Sequence, residues 1–160
     1  MYVPDLPLFY SLQLILITLV DQIDGCRDLA ASMNPSFSTL RLLRVVVSVH
    51  MDIQDPLSGI CDEFAAISGH NVIEELDLEI LVCRGHSCEI PDHWGGRLDD
   101  VLAIGFPRLG QVSLRVLIYH TASVNSDYIF MDKLKKLQFP WLSKNSIVKL
   151  NFSVKLKLLS

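Results

Sequence analysis

The sequence predicts an α/β domain in which strand–helix units repeat around a parallel sheet. An apolar pattern, Φ-x-x-Φ-x-Φ-x-Φ (Φ is an apolar residue), occurs five times in the 160 residues, at steps of 31 to 38 residues. Its alternating part is typical of β-strands, and its recurrence indicates a repeat architecture. Segments with helical spacing lie between the copies, so each strand is followed by a helix.

The five copies give the predicted strands in chain order. Their cores lie near residues 12–18, 43–49, 76–82, 112–118 and 150–156. Side chains alternate across a strand, so the apolar positions of every copy should share one face of the sheet. The second apolar position of each copy, which sets the register between strands, is Leu12, Leu43, Leu76, Val112 and Leu150.

The predicted helices fill the intervals between the strands. They cover residues 24–32, 56–68, 94–104 and 127–137, and Asp55-Pro56 is a helix-start signal because proline is favoured at the first helical position. Connections of this length join parallel strands, and stacked units of this kind form a curved solenoid. We therefore expect a single domain over residues 1–160, a leucine-rich-repeat-like solenoid of about five strand–helix units.

One alternative fold is open on this pattern. A doubly wound α/β sheet has the same alternation of strands and helices, although no glycine-rich phosphate loop supports it. The leucine-rich-repeat consensus also places Asn or Cys after the strand. Here the corresponding positions are Ser48, Leu81, Leu117 and Lys155, so the strands should run on instead of turning sharply.

Three segments resemble a known family. They are DPLSGICDEFAAISGHNVIEELDLEI (55–80), WGGRLDDVLAIGFPRLGQVSL (94–114) and QFPWL (138–142), and they are similar to the repeat region of fungal F-box-like proteins. In that family a helical F-box docks to a Skp1-type adaptor of a ubiquitin ligase, and the repeats hold the substrate. Leu6-Pro7 does not start an F-box, because the residues that follow it have the pattern of a strand. The resemblance therefore implies only the substrate-recognition part of such a ligase subunit.

Charge divides the chain into two parts. Residues 1–132 carry a formal charge of -11, and the lysine-rich terminal segment, residues 133–160, carries +7. The overall charge of -4 argues against nucleic acid as the main partner. The terminal segment also carries Phe139, Trp141 and Phe152, so binding to an anionic membrane or nucleic acid is a further alternative, although a solvated face over core aromatics is the commoner arrangement.

Half of the residues are hydrophobic, which calls for either a membrane segment or strands buried on both faces. The best membrane candidate, residues 6–20, is interrupted by Ser11 and Gln13 and is shorter than the roughly 18 apolar residues of a spanning helix. Asp5 lies where a secretory signal carries basic residues. We expect a cytoplasmic or nuclear protein whose four cysteines are reduced.

The polar face of the predicted sheet supplies candidate binding residues. In register, Arg44 faces Asp77 and Glu79 faces Arg115, with Leu81 and Leu117 exposed beside them as an apolar anchor. These six residues predict a surface that binds a protein partner, and we expect no small-molecule substrate. Alternatively, the charge pairs serve only to fix the register of the strands. The rows of outward-facing residues are Gln13, Arg44, Asp77, Ser113, Asn151; Ile15, Val46, Glu79, Arg115, Ser153; and Ile17, Ser48, Leu81, Leu117, Lys155.

The sequence contains little that suggests catalysis. Cys83, His86, Cys88 and His93 could bind zinc, which leaves a small zinc-binding domain or metal-dependent enzyme as an alternative, but their spacing matches no strong zinc motif. No nucleophile elbow is present, and adjacent acids such as Glu74 and Glu75 point to different faces of their element. We therefore expect a non-catalytic protein without a cofactor.

Overall fold

A computed structural model describes residues 14–20, 30–31, 38–50, 57–83, 94–119, 124–137 and 139–157. Strands and helices alternate along most of this part of the chain. The elements are β1 (Leu14–Val20), β2 (Leu42–His50), α1 (Ser58–Ala66), β3 (Glu75–Cys83), α2 (Gly96–Gly105), β4 (Gln111–Tyr119), α3 (Val124–Lys135), α4 (Pro140–Lys144) and β5 (Lys149–Lys157). The architecture is α/β, as predicted.

The strands form one parallel sheet in sequential order, from β1 to β5. A doubly wound sheet reverses its strand order at a switch point. The strands that the structure describes contain no such reversal. The sheet is therefore parallel and singly wound over these residues, and the doubly wound alternative is wrong for them.

The register of β2 to β5 agrees with the repeat pattern. Each of these strands begins one residue before its predicted core and ends one residue after it. Leu43 pairs with Leu76, Leu76 with Val112, and Val112 with Leu150, as the second apolar position predicted. A shift by one residue would move a whole strand's apolar set to the other face, so the apolar pattern fixes the pairing strongly here.

The predicted register of β1 is wrong. The prediction placed Leu12 beside Leu43, whereas the structure pairs Ile15 with Leu43. Nearly every residue from Leu12 to Val20 is apolar, so either alternate set can form the buried face and the pattern does not fix the phase. The β1 residues that lie in the three rows are therefore Leu16 beside Arg44, Thr18 beside Val46 and Val20 beside Ser48. The predicted residues were Gln13, Ile15 and Ile17.

The core lies between one face of the sheet and the helices. Every second residue of β2, β3 and β4 is buried, so these strands are buried mainly on one face. The expectation of strands buried on both faces, drawn from the high hydrophobic content, is wrong for them. Helical side chains complete this core, and the larger ones are Ile60, Phe64, Leu98, Leu102, Phe130 and Leu134. The buried strand residues are Leu43, Val45, Val47, Val49, Leu76, Leu78, Ile80, Val82, Val112, Leu114, Val116 and Ile118.

The helices begin and end close to their predicted bounds. The predicted helices 56–68, 94–104 and 127–137 correspond to α1, α2 and α3. Of the predicted helix 24–32, the structure describes only Ala30 and Ala31, which are helical. The short helix α4 was not predicted, because five residues are too few to show helical periodicity.

A buried asparagine shortly before β3 connects the ends of α1 and α2. Asn71 donates from Nδ2 to the carbonyl oxygens of Ile67 and Gly105, both at 2.9 Å, and its Oδ1 accepts from the Ile73 amide at 3.3 Å. These bonds satisfy an amide that is only 4% exposed. A Cβ at Gly105 would lie 3.0 Å from Ser68 Oγ, so glycine permits this close approach of the two helix ends.

Asp99 on α2 holds the beginning of α4. Its side chain is 1% exposed. Its Oδ2 accepts from the Trp141 amide at 2.7 Å and its Oδ1 from the Leu142 amide at 3.1 Å. These amides lie in the first turn of α4, where backbone N–H groups lack partners within the helix and a negative charge is favourable. A residue distant in the chain thus supplies the cap that a local side chain would normally give.

We expect Asp99→Ala to lower the free energy of unfolding by about 2 kcal/mol, because two backbone amides would lose their acceptor. Urea unfolding followed by circular dichroism measures the change. The control is Asp100→Ala, which removes the exposed neighbouring carboxylate and should change stability by less than about 0.5 kcal/mol. Equal losses in both variants would contradict this role of Asp99.

Alanine substitutions of leucines should show, by their effect on stability, which face of the sheet is buried. Leu76→Ala and Leu114→Ala should each lower the free energy of unfolding by about 2–5 kcal/mol, because both side chains are 1% exposed and would leave cavities. Leu117→Ala on the opposite face should lower the free energy of unfolding clearly less, because Leu117 is only half-buried. Similar losses at all three positions, measured by urea unfolding, would show that the two faces are assigned wrongly.

Candidate functional site

The side of the sheet opposite the core, which we call the open face, carries the candidate site. It consists of the alternate residues of β2 to β5 that lie between the buried positions. Each of these side chains is half-buried or exposed, and none is buried. Its three central rows are formed by Arg44, Asp77, Ser113 and Asn151; by Val46, Glu79, Arg115 and Ser153; and by Ser48, Leu81, Leu117 and Lys155.

A charged cluster centred on Asp77 spans three strands. Arg44 Nε on β2 donates to Asp77 Oδ2 at 2.7 Å. From β4, Arg115 Nη2 donates to both carboxylate oxygens of Asp77, at 3.0 and 3.1 Å. Arg115 Nη1 also lies 3.5 Å from Glu79 Oε2. Asp77 therefore lies between two guanidinium groups supplied by its two neighbouring strands.

Two of these three ion pairs were predicted and one was not. The register predicted Arg44 with Asp77 and Glu79 with Arg115, and both pairs form. The additional pair joins Arg115 to Asp77 diagonally, one row away. Diagonal neighbours lie about 7–8 Å apart, within reach of the long arginine side chain. A rule that considers only directly opposite residues misses this contact.

The cluster is better sheltered at its centre than at its ends. The Asp77 side chain is 15% exposed, whereas those of Arg44 and Arg115 are 42% and 44% exposed. Solvent screens the arginines, so each pair contributes only about 0–1 kcal/mol to stability. Because the guanidinium groups remain accessible, they can also donate hydrogen bonds to a partner that approaches the open face.

A shallow depression lies over this cluster and extends to β5. It has a volume of about 660 Å³ and is open to solvent. Guanidinium, carboxylate, hydroxyl and amide groups line it, so it offers both hydrogen-bond donors and acceptors. Its lining residues are Arg44, Asp77, Ser113, Arg115, Leu150, Asn151, Phe152 and Ser153.

The predicted apolar anchor is less exposed than expected. Leu81 and Leu117 are register partners one row beyond Glu79 and Arg115. Both are half-buried instead of fully exposed. Neighbouring strands lie about 4.8 Å apart, so side chains in one row cover each other's flanks. The charged cluster and the leucine pair are nevertheless adjacent on the open face.

One aromatic contact on the open face was missed. Lys157 Nζ lies 5.5 Å from the centre of the Tyr119 ring, a cation–π distance. The two residues are register partners at the ends of β4 and β5. The rows written from the sequence stopped two residues earlier, at Leu117 and Lys155. Extending each row by one more alternate position would have placed this pair together.

The zinc alternative falls largely outside the described residues. Residues 84–93, which include His86, Cys88 and His93, are not described, and neither is the side chain of Cys83. Within the described ranges no group of three or more His, Cys, Asp or Glu side chains could hold a metal ion. A zinc site at these four residues therefore stays a prediction.

Comparisons with known proteins give no match: no family model fits the chain, and no curated protein or solved structure is significantly similar to it. The resemblance to fungal F-box-like repeats thus rests on the quoted segments alone.

The high hydrophobic content raised the possibility of a membrane-spanning segment. Among the helices that the structure describes, none has the length and apolar character to do so.

A double-mutant cycle should detect the unpredicted diagonal ion pair. We expect Asp77→Ala and Arg115→Ala to show a coupling of about 0.5–1 kcal/mol in urea unfolding, reduced in 1 M salt because the Arg115 side chain is 44% exposed. The pair of Asp62 and Arg97 is the control, since its side chains are 67% and 46% exposed. Its coupling should be smaller, and equal couplings would show that the sheltered position of Asp77 adds nothing.

Proposed function

We propose that this chain is a non-catalytic protein-interaction module that binds its partner on the open face. One observation carries this proposal: the cluster around Asp77 and the leucine pair form one continuous surface on adjacent strands, and no strand or helix among the described residues packs over it. An apolar centre beside partly exposed charges is the usual composition of a protein-binding surface. The six predicted residues, Arg44, Asp77, Glu79, Leu81, Arg115 and Leu117, are the contacts that we propose.

We further propose that the fold is a leucine-rich-repeat-like solenoid of about five strand–helix units. Support comes from the sequential parallel strands and from backbone bonds that recur where successive strands begin. Arg41 O accepts from Glu75 N at 3.0 Å, and Glu74 O from Gln111 N at 3.1 Å. Gly110 O in turn accepts from Lys149 N at 2.9 Å. Stacked repeats of this kind present their strands as one extended binding surface.

The shape of the open face favours a protein over a small molecule. Four strands about 4.8 Å apart give a face about 14 Å wide across β2 to β5. Small ligands bind mostly in enclosed, largely apolar cavities, whereas this depression is polar and open. A broad surface with several hydrogen-bonding groups suits the side chains of another protein.

The resemblance to F-box-like repeats makes the role more specific. We propose that the module holds the substrate of an F-box-type ubiquitin ligase subunit in the cytoplasm or nucleus. In that arrangement the open face would select the substrate, and a separate helical segment would contact the Skp1-type adaptor. The binding proposal rests on the open face and stands without the ligase proposal.

Affinity purification of the native full-length protein from its own cells, with quantitative mass spectrometry, tests both proposals. Leu81→Ser with Leu117→Ser should reduce recovery of a direct partner at least about tenfold, since a buried apolar contact contributes 1–3 kcal/mol. Ile104→Ser is the matched control, because Ile104 is 81% exposed on α2, away from the open face. Circular dichroism verifies that each variant is folded.

The outcomes separate the two proposals. Recovery of a partner that Ile104→Ser retains and the leucine variant loses supports binding on the open face. Partners that all variants recover equally would contradict it. A Skp1-type adaptor among the recovered proteins supports the ligase role, and its absence restricts the function to protein interaction.

A further inference from the structure

At the β5 edge of the sheet, one row of backbone groups faces no other strand among those that the structure describes. Among the strands that the structure describes, β5 has only β4 as a neighbour. Lys149 N donates toward β4, to Gly110 O at 2.9 Å. Successive residues of a strand direct their backbone groups to opposite sides, so residues 150, 152, 154 and 156 direct theirs away from β4. This row is a template for one more strand.

The apolar layer at this edge is incomplete. Ile147 is 80% exposed, whereas the residues at the same repeat position, Leu40, Ile73 and Leu109, are 0%, 0% and 4% exposed. Farther along β5, Phe152 and Leu156 are only half-buried, although the same positions in β3 and β4 are buried. Each inner unit is covered by the next one. At the last described unit no such cover is present among the described residues.

The charges at this edge have one sign. Lys149, Lys155 and Lys157 occupy three of the five open-face positions of β5, and all three are exposed. None forms an ion pair with an acidic side chain that the structure describes. Antiparallel pairing of β5 along its full length with β5 of a second copy, centred on Ser153, would place Lys149 opposite Lys157. Like charges directly opposite are unfavourable, so the lysines disfavour self-pairing.

We propose that the β5 edge binds an extended segment of a partner protein in which acidic residues alternate with apolar ones, added as a further parallel strand. Acidic side chains of that segment would face the three lysines, and its apolar side chains would cover Ile147 and the inner face of β5. The chain itself contains such a strand: in β3, Glu75, Asp77 and Glu79 alternate with apolar residues, beside the arginines of β2 and β4.

This site differs from the open-face site and does not depend on it. Fluorescence anisotropy with the full chain tests the proposal. The probe is a labelled nine-residue peptide in which Glu alternates with Val, with Gly-Ser ends for solubility, and a Lys–Val peptide is its counterpart. The Glu–Val peptide should bind at least about tenfold more tightly than the Lys–Val peptide, and added salt should reduce the difference.

Charge reversal supplies the sharper test. Lys149→Glu with Lys155→Glu should weaken Glu–Val binding at least about tenfold and create binding of the Lys–Val peptide, a gain that only a folded variant can show. Lys136→Glu with Lys144→Glu is the matched control: it makes the same charge change at exposed lysines outside β5. Its affinity for the Glu–Val peptide should stay within about twofold of the unaltered chain.

A backbone variant tests strand addition itself. Leu156→Pro removes an N–H that points away from β4 and leaves the pairing with β4 intact. It should weaken Glu–Val binding while the melting temperature changes little. Equal effects of the two charge-reversal variants, or no difference between the peptides, would overturn the proposal. So would a dimer in analytical ultracentrifugation that Leu156→Pro abolishes, because a second copy would then cover the edge.

Discussion

The structure depends on the burial of one alternate set of side chains along every strand from β2 to β5. Helices α1, α2 and α3 contribute side chains to the same core, so each strand must present the same phase of its alternation to them. This requirement aligns Leu43, Leu76, Val112 and Leu150 in one row. A slip of one residue would expose a whole apolar set to water. The stabilising free energy lost in this way would be far larger than the contribution of any surface interaction.

The open face and the β5 edge both follow from this one-sided burial. Since one set of side chains faces the helices, the other set stays partly exposed to solvent in the described part of the chain and can carry charge, as Arg44, Asp77 and Arg115 do. Among the described strands β5 has a neighbour on one side only, and Ile147 beside it is exposed. Packing that stabilises the interior thus leaves two surfaces of different chemistry, one of mixed charge and one basic.

The sequence by itself determined the architecture where its pattern was unambiguous. In β2 to β5, apolar and polar residues alternate cleanly, so the strand positions, their register and the pairs of Arg44 with Asp77 and Arg115 with Glu79 could be predicted. It failed for β1, where an almost wholly apolar run allows both phases, and for α4, which is too short to show periodicity. Period-2 alternation carries information only when the two faces differ in polarity.

Only the tertiary structure decided which distant groups meet. The bond from Arg115 to Asp77, the cap of α4 by Asp99 and the bond from Asn71 to Gly105 each join residues 34 or more positions apart. The other two bonds of Asn71, to Ile67 and Ile73, are local. None of the long-range contacts has a local pattern, because hydrogen bonds of this kind depend on distances of about 3 Å and on direction. Apolar burial is non-directional and therefore readable from a pattern of residues, whereas polar contacts need coordinates.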